Sequence, residues 1–260
     1  MLNGRHALVT GSTGGLGFAI GRALALAGCG VMFTGQESEA EVAPKLGALR
    51  EEAAGDVHYR VADLSDEAGA AALVNSAMAS LGSIDILVNN AVVRHFAPVE
   101  KFDVAHWNHS LAVNLSAAFH TIRLTVPGMR AAGWGRIINM SSVYGSRGAA
   151  NRIDYVTTKT ALLGLTRAVA METLRDGITC NAVCPGSVHT PASEQRIMAS
   201  VTEGALSREE AERDFLAGKQ PSGRFVEAND VAALVVFLCG PAGRDITGAT
   251  LPVDGGWLAS

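Results

Sequence analysis

Short apolar runs rich in β-branched residues recur along the chain, each bounded by glycine or polar residues, with longer stretches of helical periodicity between most of them. The runs at 5–10, 30–34, 57–62, 84–89, 135–141, 177–184 and 248–253 predict seven strands. Among the intervening segments, 16–27 and 153–175 read as helices. Strands alternating with helices predict an α/β fold, a doubly wound parallel sheet of about seven strands with helices on both faces, whose ligands bind beyond the carboxyl ends of the strands. One long polar stretch with helical pieces, 187–224, interrupts the rhythm before the last helix and is expected to serve as a lid.

Composition narrows the class. A chain of 260 residues with 48% hydrophobic content suits one α/β domain spanning 1–260 and a sizeable core. No apolar stretch has the length of a membrane span, and residues 1–6 lack the basic start and apolar region of a signal peptide, so the expectation is a soluble, cytoplasmic protein. Cys29, Cys180, Cys184 and Cys239 have no metal-ligand spacing and sit in apolar segments, as buried free thiols do, and no metal is expected. A net charge of −4 carries no electrostatic footprint for nucleic acid.

Two motifs carry chemistry. The run 5–10 leads straight into Gly11, Gly14, Gly15 and Gly17 and then into an apolar helix. Strand, glycine turn and helix in that order form a phosphate cradle, because glycines permit close backbone approach and a helix N-terminus offers free N–H groups. The second motif is Tyr155 and Lys159, four apart on a predicted helix and therefore on one face. An ammonium about 4 Å from a phenol contributes about 4 kcal/mol at an effective dielectric near 20. That is enough to bring a group ordinarily titrating near ~10 toward neutrality, where it can move protons. Alone, such a pair is usually plain helix surface. Its company here, Ser142 thirteen residues upstream and the glycine turn, points to a hydride-transfer site.

With these motifs in order, the chain resembles the short-chain dehydrogenases/reductases, which have a Rossmann-type fold, essentially from end to end. The Thr-Gly-x-x-x-Gly-x-Gly of that family matches Thr10 to Gly17, and its Asn-Asn-Ala matches Asn89, Asn90 and Ala91. The resemblance implies a nicotinamide dinucleotide held by Gly11, Thr13, Gly15, Leu16, Gly17, Gln36, Asp63, Leu64, Asn90, Ala91, Pro185, Gly186, Val188 and Thr190, together with Tyr155 and Lys159. It implies catalysis by Asn114, Ser142, Tyr155 and Lys159. By the same resemblance Tyr155 would be the acid–base and Ser142 would hold the substrate oxygen. Lys159 would lower the tyrosine's pKa and bind the nicotinamide ribose, and Asn114 would order a water leading to solvent. Where the family continues Asn-Asn-Ala-Gly, this chain has Val92, a β-branched side chain beside the expected nicotinamide pocket. No Arg or Lys lies in 34–37 or in the glycine loop, and Glu37 and Glu39 would repel a 2′-phosphate, so NAD is expected over NADP.

Longer stretches, at 97–100, 114–121, 127–130, 219–222 and 253–258, are similar to bacterial D-3-hydroxybutyrate dehydrogenases, which implies a small hydroxy-acid substrate and a homotetramer. The implied substrate positions are Arg94, Ser142, Tyr144, Arg152, Tyr155, Arg196 and Trp257. Several differ from that group: Arg94 replaces a Gln, Tyr144 a His, Arg152 a Lys, Ser187 a Trp and Arg196 a Gln. Arginine forks suit carboxylate, phosphate or sulfonate, so a 3-hydroxybutyrate-like substrate is expected, with a larger or more anionic acid left open. The same sequence leaves open a reductase of another class, acting on a 3-oxoacyl thioester, a polyol or a ketone. A non-catalytic relative is the third reading, against which the intact Asn114, Ser142, Tyr155 and Lys159 speak.

Overall fold

The computed structural model describes residues 2–204 and 206–260. Seven strands form one parallel sheet: β1 (His6–Val9), β2 (Gly30–Gly35), β3 (Val57–Val61), β4 (Ile86–Asn89), β5 (Gly135–Met140), β6 (Ile178–Pro185) and β7 (Thr250–Val253). Their order is β3-β2-β1-β4-β5-β6-β7, so the chain reverses direction of travel between β1 and β4 and opens a crevice at their carboxyl ends. All seven predicted strands are present, with bounds one or two residues tighter at some ends.

Alternate residues of the inner strands feed two main cores, with a smaller cluster of Leu163, Ala182 and Cys184 beside them. Ala7, Val9, Val31, Phe33, Val88 and Ile138 pack on one face with α1 (Gly15–Leu26), α2 (Glu39–Glu52) and α9 (Ala228–Cys239). Leu8, Met32, Leu87 and Ile137 pack on the other with α3 (Glu67–Leu81), α5 (Ala117–Ala132) and α6 (Ile153–Glu172). Coverage on both faces explains why the strands read as near-continuous apolar runs. The four cysteines lie buried in these layers, and burial pushes the Cys29 and Cys180 thiols up to about 12.

A polar seam crosses the second face. Asn89 Nδ2 donates to Asn139 Oδ1 at 2.9 Å, Thr121 Oγ1 donates to Asn89 Oδ1 at 2.7 Å, and Asn139 Nδ2 donates to Thr166 Oγ1 at 2.9 Å. These bonds fix α5 and α6 against β4 and β5 by partners rather than by shape alone, because buried amides left unpaired are costly. Helix α6 stops at Glu172, short of the expected 175, where the Thr173 hydroxyl donates to Val169 O and offers the backbone an alternative to another turn. Between α4 (Val104–Leu111) and α5 the chain makes a π-helical turn, Ala112–Ser116, which no periodicity argument anticipates. The 187–224 stretch contains α7 (Pro191–Gly204) and α8 (Arg208–Leu216).

The glycine turn sits where α1 leaves β1. A Cβ on Gly17 would lie 2.2 Å from Gly11 O and 2.4 Å from Asn90 Nδ2, contacts that only a backbone shift could relieve. A Cβ on Gly14, by contrast, meets nothing within 4 Å. Gly17→Ala is therefore expected to lose about 1–3 kcal/mol through overpacking, and Gly14→Ala about 0.5–1 kcal/mol as a helix N-cap change with no packing cost. Thermal unfolding of the two variants beside the parent checks this, and equal melting temperatures would contradict the packing account.

Candidate active site

The carboxyl ends of β1 and β4 are stitched together. Thr10 Oγ1 accepts from the N–H groups of Asn90 and Ala91 at 2.9 and 3.0 Å, and Asn90 Nδ2 donates to the carbonyls of Thr10 and Gly11 at 3.0 and 2.7 Å. Gly11 has φ +60°, and a Cβ there would sit 2.7 Å from Ala91 Cα. The close approach leaves open space over Gly14 and Gly15 at the start of α1. These residues fit a dinucleotide's pyrophosphate: a tight glycine turn, a free helix N-terminus and room over both.

Beyond the turn, Thr13 Oγ1 donates to Glu37 Oε1 at 2.9 Å, so an acidic side chain reaches the glycine loop just past the exposed Gln36. Lys45, on α2, donates to Thr13 O at 2.8 Å. A cation thus does approach the loop, from a helix that motif reading did not search. Ser65 N–H donates to Asp63 Oδ1 at 2.9 Å, and hydrogen bonding from Ser65 holds that carboxyl below its ordinary value. Leu64 beside it is buried.

A cavity of about 550 Å³ runs from the glycine turn across the ends of β4, β5 and β6. Gly11, Leu16, Gly17, Asn90, Val92, Pro185, Gly186, Val188 and Thr190 line one part. All seven expected substrate residues, Arg94, Ser142, Tyr144, Arg152, Tyr155, Arg196 and Trp257, line the rest, with Lys159 beneath. Thr13, Gly15, Gln36, Asp63 and Leu64 lie outside its walls, and Ala91 faces a small crevice shared with Asn114 and Lys159.

Tyr155 and Lys159 leave one face of α6 and are nearly inaccessible, with 6% and 3% exposure. The Lys159 ammonium donates to Met140 O at 2.6 Å, at the end of β5, and lies 5.6 Å from the centre of the Tyr155 ring. Burial lowers the Lys159 pKa, with Tyr155 acting in the opposite sense. The ammonium thus gives one of its three donors to a main-chain carbonyl and keeps its charge beside the phenol ring. A second cation lies nearer the ring centre: Arg94 Nη2 donates to the Tyr155 hydroxyl at 3.5 Å, its guanidinium 5.0 Å from the ring centre. Burial alone would raise the phenol's pKa. Arg94, then Lys159, hydrogen bonding from Ser142 and the charge of Arg152 outweigh it, so Tyr155 is held below its ordinary value. Asn114 stands in the π-helical turn, and its amide both accepts from Val93 N–H at 2.8 Å and donates to Val93 O at 3.0 Å, fixing the backbone next to Arg94.

A second tie, unforeseen from the sequence, runs beneath the first. Asp154, fully buried, accepts from Ser110 Oγ at 2.7 Å and faces His95 Nδ1 at 3.3 Å. Its other oxygen accepts from the N–H of Tyr155 at 2.7 Å. Residues 94 and 95 thus contact residues 155 and 154 in turn. The signal was present in sequence only as an acid beside the tyrosine, whose partners 44 and 59 residues away no spacing rule connects.

The substrate end is walled by aromatic rings and cations. Tyr144 meets Tyr155 and Trp257 edge-on, with centres 6.1 and 5.4 Å apart. Arg152 lies over Phe96 at 4.6 Å and Tyr144 at 5.2 Å. Arg196 and Lys219 both lie over Phe215, at 5.1 and 4.4 Å. Phe96, Phe215 and Lys219 line the cavity without having been singled out from the sequence.

Comparison with known proteins agrees with this geometry. Residues 11–258 match a family model described as enoyl-(acyl carrier protein) reductase. A D-beta-hydroxybutyrate dehydrogenase of Cupriavidus necator is 41% identical over all of both chains. One from Rhizobium meliloti is 36% identical over 98% of this chain and 99% of its own. The crystal structure of L-sorbose reductase from Gluconobacter frateurii, complexed with NADPH and L-sorbose, superposes with a TM-score of 0.93 at 28% identity, covering 100% of this chain and 98% of the other. A seven-stranded parallel sheet, a glycine turn aimed at a crevice and a Ser–Tyr–Lys constellation at its far end therefore have one reading: the chain is an oxidoreductase belonging to the short-chain dehydrogenase/reductase family.

Proposed function

We propose that the protein is an NAD-dependent dehydrogenase interconverting a short 3-hydroxy acid and its oxo acid. The carrying observation is Arg152, held by Phe96 and Tyr144 in the same cavity as Ser142 and Tyr155 and engaged by no acid among the described residues. The names of the Cupriavidus and Rhizobium relatives support the same substrate type. In the oxidative direction Tyr155, as phenolate, takes the alcohol proton, and Ser142 holds the substrate oxygen. The glycine turn and the β6 end would hold a dinucleotide, whose nicotinamide would supply the hydride acceptor. The substrate's C–H electron pair leaves with its hydrogen, a carbonyl forms, and the proton passes on through the buried Lys159 side. Arg152 grips the carboxylate. In this reading the 187–224 stretch is the lid of one domain, 1–260. The protein works in the cytoplasm as a homotetramer, for which exposed Phe119, Met171, Leu174 and Phe237 offer apolar contact surface. Among the described residues no helix is long and apolar enough to cross a membrane.

Tyr155→Phe should abolish turnover while leaving cofactor affinity nearly unchanged. Arg94→Gln removes the cation that most lowers the phenol's pKa, so the tyrosine should need higher pH to ionise. The rising acid limb of kcat/KM for NADH production should therefore move upward in pH. A limb left in place would show that Arg94 does not tune the tyrosine.

Glu37, bonded to Thr13 at the edge of the glycine loop, supports NAD over NADP, because a 2′-phosphate near it would meet like charge. Catalytic efficiency with NAD should exceed that with NADP by tenfold or more, about 1.4 kcal/mol, and Glu37→Gln should narrow the gap. Lys45 is the group that would favour the opposite choice, and efficiency with NADP equal to or above that with NAD would assign it that part.

A charge-assisted hydrogen bond to a carboxylate is worth about 1.5–3 kcal/mol. Arg152→Ala should accordingly raise KM for 3-hydroxybutyrate by roughly ten- to a hundredfold. Unchanged KM, with neutral polyols or ketones as the best substrates of the parent, would overturn the hydroxy-acid reading.

A further inference from the structure

Among the described residues the cavity wall holds five cationic side chains, Arg94, Arg152, Lys159, Arg196 and Lys219, and no Asp or Glu. Two belong beside the tyrosine: Lys159, buried beneath it, and Arg94 on the Tyr155 hydroxyl. Arg152 is the carboxylate grip of the proposed function. That leaves Arg196, from α7, and Lys219, from just beyond α8, gathered on the two-helix segment over a single ring, Phe215; Lys219 gives one of its three donors to Phe215 O at 2.7 Å and keeps its charge without a carboxylate partner among the described residues.

The segment does not lack acids. Glu194 bonds Arg208 and His189, and Glu212 bonds Arg208, all at 2.8 Å. Those two carboxylates are thus committed to other cations, and Glu210 caps α8 through Ser207. Arg196 and Lys219 make no ion pair among the described residues, although the same helices supply possible partners. Burial, with the repulsion of Arg196 and of Arg152, lowers the Lys219 pKa, which places Arg152 and this pair within electrostatic reach of each other. Cations crowded without a counter-charge are relieved by an anionic ligand. The glycine turn, where a dinucleotide's own phosphates are accommodated, lies at the other part of the cavity and has no lysine or arginine of its own.

We propose that Arg196 and Lys219 form a second anion subsite, so that the substrate is a hydroxy acid carrying a further acidic group beyond its reacting carbon. This rests on the hydroxy-acid reading and names its class: a short hydroxy dianion, the second charge being carboxylate, sulfonate or phosphonate. The first group meets Arg152, the hydroxyl-bearing carbon meets Ser142 and Tyr155, and the second group reaches the Phe215 platform. The redox step is unchanged, with one hydride leaving carbon and one proton leaving oxygen.

The test uses the full-length enzyme with NAD and compares 3-hydroxyglutarate with its monomethyl ester, which keeps the shape and removes one charge. Expected is a kcat/KM at least tenfold higher for the diacid. 3-Hydroxy-4-sulfobutyrate and 3-hydroxy-4-phosphonobutyrate then identify which second anion is preferred. In Arg196→Gln and Lys219→Gln the ratio of diacid to ester should fall toward one, and Arg196→Lys should keep most of it. Arg213→Gln, an exposed charge of α8 outside the cavity wall, should leave the ratio as in the parent. Equal efficiency for diacid and ester in the parent overturns the subsite while the hydroxy-acid function stands, because the ester still turns over. Failure of every acid to turn over overturns both.

Discussion

A buried ammonium with no carboxylate beside it is the constraint around which this site is arranged. Lys159 is almost wholly out of water, and burying such a charge costs several kcal/mol unless dipoles or counter-charges replace its hydration. The chain meets the demand with a carbonyl at the end of β5 and with the phenol of Tyr155 one helical turn away. Both depend on the phase of α6 over the sheet, which is why its contact face is pinned by specific bonds. Ser141 Oγ donates to Lys159 O at 2.8 Å, and Asn139 holds Thr166 further along the same helix. A rotation of α6 would break these bonds and remove the ammonium from its carbonyl together.

The loop after β4 is held just as tightly, residue by residue. Asn90 and Ala91 bond Thr10, Val93 is gripped through both main-chain groups by Asn114, Arg94 meets the Tyr155 hydroxyl and His95 faces Asp154. Glycine turn, loop and catalytic helix thus form one contiguous hydrogen-bonded structure. The π-helical turn earns its place in that arrangement, because it carries the Asn114 amide that closes on Val93. Val92, a departure from the family's glycine, lies within this clamped stretch and faces the cavity, so its side chain shapes the wall at a position the neighbouring bonds hold still.

Much of this was legible in the sequence, for physical reasons. Inner strands covered on both faces are largely apolar and so stood out, while the part-exposed edge strands β3 and β7 were marked by β-branched residues between polar bounds; the glycine turn is conspicuous because only glycines tolerate such close backbone approach. Ser142, Tyr155 and Lys159 stood out because local spacing and the family pattern both mark them. What stayed hidden was tertiary. The helical spacing of Tyr155 and Lys159 predicted their common face correctly but could not say that Met140 O would take the lysine's hydrogen bond, or that Arg94, 61 residues from the tyrosine, would be the stronger influence on its pKa. Lys45 escaped for the same reason: a cation search along the second strand and the glycine loop does not see a helix folding back over Thr13. Asp154, Ser110 and His95 carry no motif, since their meeting depends on how α4 packs against α6.

Charge distribution ties the fold to selectivity. The chain is acidic overall, with a formal charge of −4, yet its reaction cavity is lined by cations and no acid among the described residues. A positive cavity within a negative envelope repels anions at long range and attracts them only once inside a Debye length, about 8 Å at physiological salt. Discrimination among any anions that enter therefore falls to close contacts, where low-dielectric walls strengthen each fork. Arginine suits that task better than lysine, because a planar guanidinium stacked on Phe96, Tyr144 or Phe215 is oriented before the ligand arrives and loses less freedom on binding it. The aromatic rings thus do more than line the cavity: they aim the cations, and the spacing of the aimed cations, more than the volume of the cavity, sets the geometry that any anion entering it would meet beside Tyr155.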